Sequence, residues 1–252
     1  MESNIFTHWP KALSGLVPGV GHTNGRRAMA DRNAVRELQQ TWLAMAMHII
    51  ASKEDSAPLA FGMTSASPGE GKTTNCLGLG RALAREAGSK VIALECDLNS
   101  PGMAVNLDLN PQPGLVEHVT DGQPIEHVVQ HTAQANLDIV VAGGQGSEDP
   151  ERDFWAPSSL SRLTRGLPAL VAHLKESYGY ILLDLPPIIT DIYAKEMINS
   201  TDGAFLVVRA GLTSLGSVAR AAQDIRNGRF LGVVLAGGAS PLPSWMVQLL
   251  SE

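Results

Sequence analysis

The stretch "TSASPGEGKTTN", Thr64 to Asn75, decides how this chain is read. It comes after the apolar run "LAFGMT" and leads into residues that suit a helix. Strand, glycine-rich loop and helix in that order form a phosphate cradle. Backbone N–H groups of the loop point inward, and the helix N-terminus adds partial positive charge. The loop spans Ser67, Pro68, Gly69, Glu70, Gly71, Lys72, Thr73 and Thr74. Lys72 can reach the β- and γ-phosphates of a nucleotide, and the Thr73 hydroxyl can ligate Mg²⁺. The strict pattern GxxxxGK[ST] has its first glycine replaced by Ala66. Alanine disfavours positive φ, so the loop must open in an ordinary backbone conformation.

Around this loop a rhythm sets in. The apolar runs "LAFGMT", "KVIALEC", "LDIVVAG", "YILLDL", "GAFLVVR" and "FLGVVLAG" alternate with expected helices at 72–87, 114–131, 158–177, 192–200 and 214–226. Continuous rather than alternating apolar residues suit parallel strands covered on both faces. The alternation implies βαβ crossovers. The expected fold is α/β, with a mostly parallel central sheet flanked by helices on both faces. Before it, Val35, Leu38, Trp42, Met45 and Ile49 recur at spacings of three and four, one apolar face of a helix. Residues 1–30, rich in Gly, Pro and polar types, read as a flexible arm, and 31–252 as a single P-loop domain. The last stretch, "SPLPSWMVQLLSE", is broken by Pro241 and Pro243 and reads as a short element docked on the domain.

Mg²⁺ with phosphates calls for carboxylates at the C-terminal ends of neighbouring strands. "VIALECDLNSP" supplies Glu95 and Asp97, and "YILLDLPP" supplies Asp184. Asp97 and Asp184, with Thr73, are the expected metal residues. Lys72, Asp97, Asp184 and Glu95 form the catalytic set, Glu95 as a candidate general base; for Glu95 a turn or capping role stands beside the functional one. The two cysteines, Cys76 and Cys96, fit no metal-ligand spacing and read as buried small side chains of a protein in a reducing cytosol. The seven histidines form no triad, and His118 and His127 read as surface or packing residues. A net charge of -6 offers no global field for nucleic acid. No apolar run approaches the ~18 residues that span a bilayer, so direct membrane insertion is not expected.

With these residues in hand, the chain resembles the bacterial tyrosine kinases of capsule and exopolysaccharide assembly, over about residues 33–238. The pieces in order are "AVRELQQTWL", "TSASPGEGKTT", "VIALECDLNSPGM", "GLVEHVTDGQPIEHVV", "NLDIVVAG", "YGYILLDLPPIITDIYA", "DGAFLVVRAG" and "GVVLAGG". The resemblance implies a P-loop NTPase fold, ATP with Mg²⁺, a second acidic motif at Glu95 and Asp97, and a cytoplasmic protein held at the inner membrane by a membrane-embedded polysaccharide co-polymerase. A homo-oligomer is a possible state. The related Min- and Par-type ATPases carry an extra lysine where this chain has Ser67, and serine cannot supply its charge. A nucleotide-sandwich dimer is therefore disfavoured.

The chain departs from the family at several places. The acidic motif reads Glu95-Cys96-Asp97 rather than Asp-x-Asp, with Asn99 at the basic position. Tyr193 stands where an aspartate is usual after the Pro-Pro pair, and Asp191 lies two residues earlier. The ring-forming helix motif reads Asn33, Arg36 and Gln39, and the adenine-linked asparagine is Ala236. None of the three tyrosines, Tyr178, Tyr180 and Tyr193, forms a C-terminal cluster. The residues leave three readings. The first is a tyrosine-kinase-like enzyme. The second is a catalytically weak ATP-binding regulator of a co-polymerase. The third, against which Ser67 stands, is a positioning ATPase.

Overall fold

The computed structural model describes residues 25–53, 57–144, 157–225 and 230–237. The C-terminal stretch from 240 onward and the arm before residue 25 lie outside the described residues. Helix α1 (Gly25–Ala51) reaches back into the stretch expected as part of that arm. After it come β1 (Leu59–Ser65), α2 (Lys72–Glu86), β2 (Val91–Glu95), α3 (Met103–Leu107), α4 (Leu115–Asp121) and α5 (Ile125–Val128). Then come β3 (Gln130–His131), β4 (Leu137–Val140), α6 (Pro157–Leu174), β5 (Tyr180–Asp184), α7 (Ala194–Ile198), β6 (Gly203–Arg209), α8 (Leu215–Ile225) and β7 (Phe230–Ala236).

The strands form one sheet in the order β3-β4-β2-β5-β1-β6-β7. All described pairings are parallel except β3 with β4 at one edge. The expected mostly parallel P-loop sheet is therefore present. Strands β2 and β5 are buried along their whole length, as continuous apolar runs require when helices cover both faces. On one face Ile92, Leu94, Ile181 and Leu183 pack with Leu163, Leu167 and Val171 of α6 and with Met197 of α7. On the other, Val91, Ala93, Tyr180 and Leu182 pack with Cys76, Leu79 and Leu83 of α2 and with Ala46 and Ile49 of α1. Both cysteines are free and buried, and burial pushes both thiols up.

The helix expected over 114–131 is instead two short helices and the edge strand β3. Gly122 ends α4 in the left-handed region at φ 67°, and Pro124 opens α5. Glycine at that position and proline just after it stop a helix for backbone reasons. The apolar spacing continues across the break, with Leu115, Val116, Ile125 and Val128 all buried in one cluster.

Gly114 seats α4 against the end of β4. A Cβ there would lie 2.3 Å from the Val141 carbonyl oxygen and 2.5 Å from the Gly143 nitrogen, both backbone. Backbone cannot yield as a flexible side chain can, so Gly114→Ala should cost about 1–3 kcal/mol of stability. Thermal unfolding should show a lowered midpoint, and an unchanged midpoint would contradict this close seating.

Candidate functional site

Parallel strands deliver their C-terminal ends to one edge of the sheet, and the loop after β1 lies there. Leu206 and Val207 of β6 pair with Thr64 and Ser65, the last residues of β1 before the loop. The loop turns through Gly69 at φ +77° and Gly71 at φ +98°. Ala66 is not among the non-glycine residues with positive φ, as its side chain requires. Ser67, Pro68 and Gly69 are exposed at the loop tip, whereas Glu70 and Lys72 are buried.

Glu70, expected among the cofactor-binding residues of the loop, has its side chain turned inward as a brace. Its Oε2 accepts the Ala66 N–H at 3.1 Å and its Oε1 accepts the Thr213 hydroxyl at 2.7 Å. Arg209 adds a hydrogen bond to the Gly69 carbonyl at 3.1 Å. The loop is thus tied to the segment between β6 and α8. Nothing in the sequence around Arg209 or Thr213 signals this role. Only the β1–β6 neighbourhood brings them close.

Lys72, Thr73, Asp97 and Asp184 come together. Lys72 Nζ lies 3.3 Å from Asp97 Oδ2, with both side chains almost wholly buried. The Thr73 hydroxyl donates to Asp184 Oδ2 at 2.5 Å. The main chain enforces the meeting. The Asp184 carbonyl accepts the amides of Cys96 and Asp97 at 2.9 and 3.0 Å, which docks the end of β2 on the end of β5. Among the described residues, Oδ1 of Asp97 and Oδ1 of Asp184 are buried without a hydrogen-bond partner. Buried carboxylate oxygens are normally satisfied, so this pair fits a cation or ordered water at the site. Two carboxylates and a hydroxyl suit Mg²⁺, which keeps several waters and takes few protein ligands.

Glu95 has a different position. Its Oε1 accepts the amides of Gly102 and Met103, at the start of α3, the latter at 2.6 Å. Its Oε2 accepts the Ala142 amide at 3.0 Å, just beyond β4. Both oxygens are therefore taken by backbone donors. Burial raises the Glu95 carboxyl, and those three donors oppose the rise. Asn99, at the family's basic position, donates to Asp191 Oδ2 at 2.9 Å and links the segments after β2 and β5. Asp191 in turn accepts the Tyr193 amide. Ala236 lies beside the loop, its Cβ 3.7 Å from where a Cβ on Gly71 would stand. His118 is half-buried with Nδ1 against the Gln123 carbonyl, and His127 is exposed, so both serve as packing or surface residues.

Two outcomes test this geometry. Glu95→Gln replaces an acceptor by an amide that confronts backbone donors, so it should lower stability by about 1–3 kcal/mol. Unfolding in denaturant checks it, and an unchanged midpoint would free Glu95 for another role. The second concerns Asp184, whose burial pushes its carboxyl up to about 7, against the opposing Thr73 bond and Lys72 charge. Between the ordinary carboxylate range and about pH 7 the metal-free folded state holds a proton that the unfolded chain has released. That contribution to stability is present at the acid end and is lost as pH rises through about 7. A cation competes with the proton, so Mg²⁺ should raise the unfolding midpoint more at about pH 8 than at about pH 5.5. Equal shifts would remove Asp184 from any cation site.

A family model described as "AAA domain" matches residues 62–227. The tyrosine-protein kinase CpsD of Streptococcus pneumoniae is 30% identical over 176 residues, covering 69% of this chain and 73% of that protein. The VpsO kinase domain superposes with a TM-score of 0.64 at 27% identity, over 79% of this chain and 96% of that one. The septum site-determining protein MinD of Pyrococcus horikoshii, solved with Mg-ADP, superposes with a TM-score of 0.58 at 23% identity, over 77% of each chain. Among the described residues, no helix is long and apolar enough to cross a membrane. The chain belongs to the AAA-domain P-loop NTPases and, within them, to the tyrosine kinases of bacterial capsule and exopolysaccharide assembly.

Proposed function

We propose that the protein binds Mg-ATP at the loop 67–74 and transfers or hydrolyses its γ-phosphoryl group in exopolysaccharide or capsule polymerisation and export. The observation that carries this reading is the pair of buried oxygens on Asp97 and Asp184 that have no hydrogen-bond partner among the described residues, set beside Lys72 and Thr73. Lys72 would sit against the β- and γ-phosphates and balance their charge. Thr73 would hold Mg²⁺ directly, with Asp97 and Asp184 holding it mostly through water. The ion would neutralise phosphate charge as it moves toward the leaving oxygen. Lys72 must release Asp97 to reach a phosphate, and the freed carboxylate would then be available to metal-bound water.

The engagement of Glu95 by three amides leaves Asp97 and Asp184 as the acids free to orient a nucleophile. It favours slow intrinsic turnover and gives weight to the second reading, a weakly catalytic ATP-binding regulator. Ser67, exposed at the loop tip, offers no charge to a partner's nucleotide, against a positioning ATPase. The partner we propose is a membrane-embedded polysaccharide co-polymerase, holding the protein on the cytoplasmic side of the inner membrane.

The deciding experiment incubates the purified protein with Mg-ATP, with and without the partner's cytoplasmic segment, and measures ADP and phosphotyrosine. Lys72→Met should abolish ATP binding in a folded protein, and an unchanged titration would overturn the loop assignment. Asp97→Asn and Asp184→Asn should lower turnover more than binding. Phosphotyrosine on this chain, if formed, should fall on Tyr193. Tyr180 is only 2% exposed, and the Tyr178 hydroxyl donates to Asp138 Oδ2 at 2.9 Å. Stoichiometric phosphate on Tyr178 or Tyr180, read by mass spectrometry, would contradict that placement.

A further inference from the structure

Asn75 is a buried amide in the first turn of α2, only 2% exposed. Its Nδ2 donates to the Gly71 carbonyl at 2.9 Å, and its Oδ1 accepts the indole N–H of Trp42 at 2.9 Å. Trp42 belongs to α1, an element outside the sheet, and is 5% exposed. Its ring lies in a notch made by Gly78 of α2, where a Cβ would come within 2.2 Å of two ring carbons. The indole also lines a cleft of about 230 Å³ between α1 and α2, with Arg36, Leu43, Arg81 and Ala82. Through Asn75 the indole is one residue removed from the Gly71 carbonyl of the loop.

Peptide geometry carries this contact into the loop. The Gly71 carbonyl and the Lys72 N–H belong to one planar unit and point in opposite directions. Fixing the carbonyl fixes the N–H. That N–H opens α2 and is one of the unpaired donors at a helix N-terminus that a phosphate takes up. The same carbonyl also accepts the Asn75 backbone amide at 3.0 Å, so Asn75 holds it by two bonds. Trp42 supplies the acceptor side of the Asn75 amide with its partner and so sets the rotation of that amide.

We infer that Trp42 and Asn75 are positioning residues for the phosphate loop, and that the seating of α1 on α2 is thereby coupled to nucleotide affinity. The inference rests on the reading of loop 67–74 as a nucleotide site. Coupling of this kind is reciprocal: a nucleotide that tightens on the ordered loop tightens α1 by the same factor. A contact that draws α1 away from α2 would loosen nucleotide, so α1 is a route by which a partner can govern the site without touching it.

The test uses the full chain. Trp42→Phe keeps a ring in the Gly78 notch and loses only the N–H donor. Gly78→Ala leaves both hydrogen-bonding residues in place and displaces the ring. Met47→Ala, at an exposed position of α1, is the control. ATP titration should show a dissociation constant raised about five- to tenfold in Trp42→Phe, the worth of one hydrogen bond, and unchanged in Met47→Ala. Hydrogen exchange supplies the readout that mere packing would not move. ATP should slow exchange of the amides of residues 39–50 in the wild type and should not do so in Trp42→Phe or Gly78→Ala. Asn75→Ala should repeat the pattern if either variant fails to fold. Wild-type affinity together with wild-type protection of α1 in the folded variants would overturn the coupling. A wild type that binds no ATP would overturn the nucleotide reading and the coupling with it.

Discussion

Asp184 is the residue on which the geometry of the candidate site depends. It ends β5, the middle strand of seven, and it serves with both halves of its chemistry. Its carbonyl accepts two amides from the end of β2, so the acid of that strand arrives at a fixed place. Its carboxylate accepts the Thr73 hydroxyl, so the first turn of α2 is drawn toward the same place. The next residues continue the tie, since the Leu185 amide donates to Met63 and the Ile188 amide to Ser65 of β1. Three adjacent strands of the sheet thus meet through one short segment. Burial of two carboxylates against one lysine leaves an excess of negative charge in a place of low dielectric. Such an arrangement is costly by itself and is relieved by protons or by a cation.

The fold was legible because its signal is local. Continuous apolar runs bounded by glycine and proline mark buried parallel strands. The glycine-rich loop after the first core strand marks which end of the sheet carries the site. Lys72, Thr73, Asp97 and Asp184 could be placed together because each ends or succeeds such a strand. The break in 114–131 was written in Gly122 and Pro124, but the apolar spacing runs through it and outweighed the two punctuating residues. Helix α3 is five residues long and has no periodicity to detect.

Side-chain direction was the part that sequence could not show. Glu95 and Asp97 stand two apart and would share a face if the strand continued, yet the strand ends at Glu95. Beyond that point alternation no longer governs, and Glu95 turns to the amides of Gly102, Met103 and Ala142 instead. Glu70 was hidden for a similar reason. A glutamate in a glycine-rich loop reads as solvated until the loop is seen to wrap around it. Trp42 read as one more apolar residue of a helical face, because its polar edge matters only once Asn75 is opposite.

The notch at Gly78 has a consequence for how this chain can vary over time. A residue without a side chain and a residue with the largest one fill a single volume, so neither position is free to drift alone. A methyl group at 78 becomes tolerable only after the indole has given way to something smaller, and that change strips Asn75 of a partner. The three positions should therefore travel as a set through related chains, glycine, tryptophan and a carboxamide retained or exchanged together, while the exposed residues of α1 between them diverge at the ordinary surface rate.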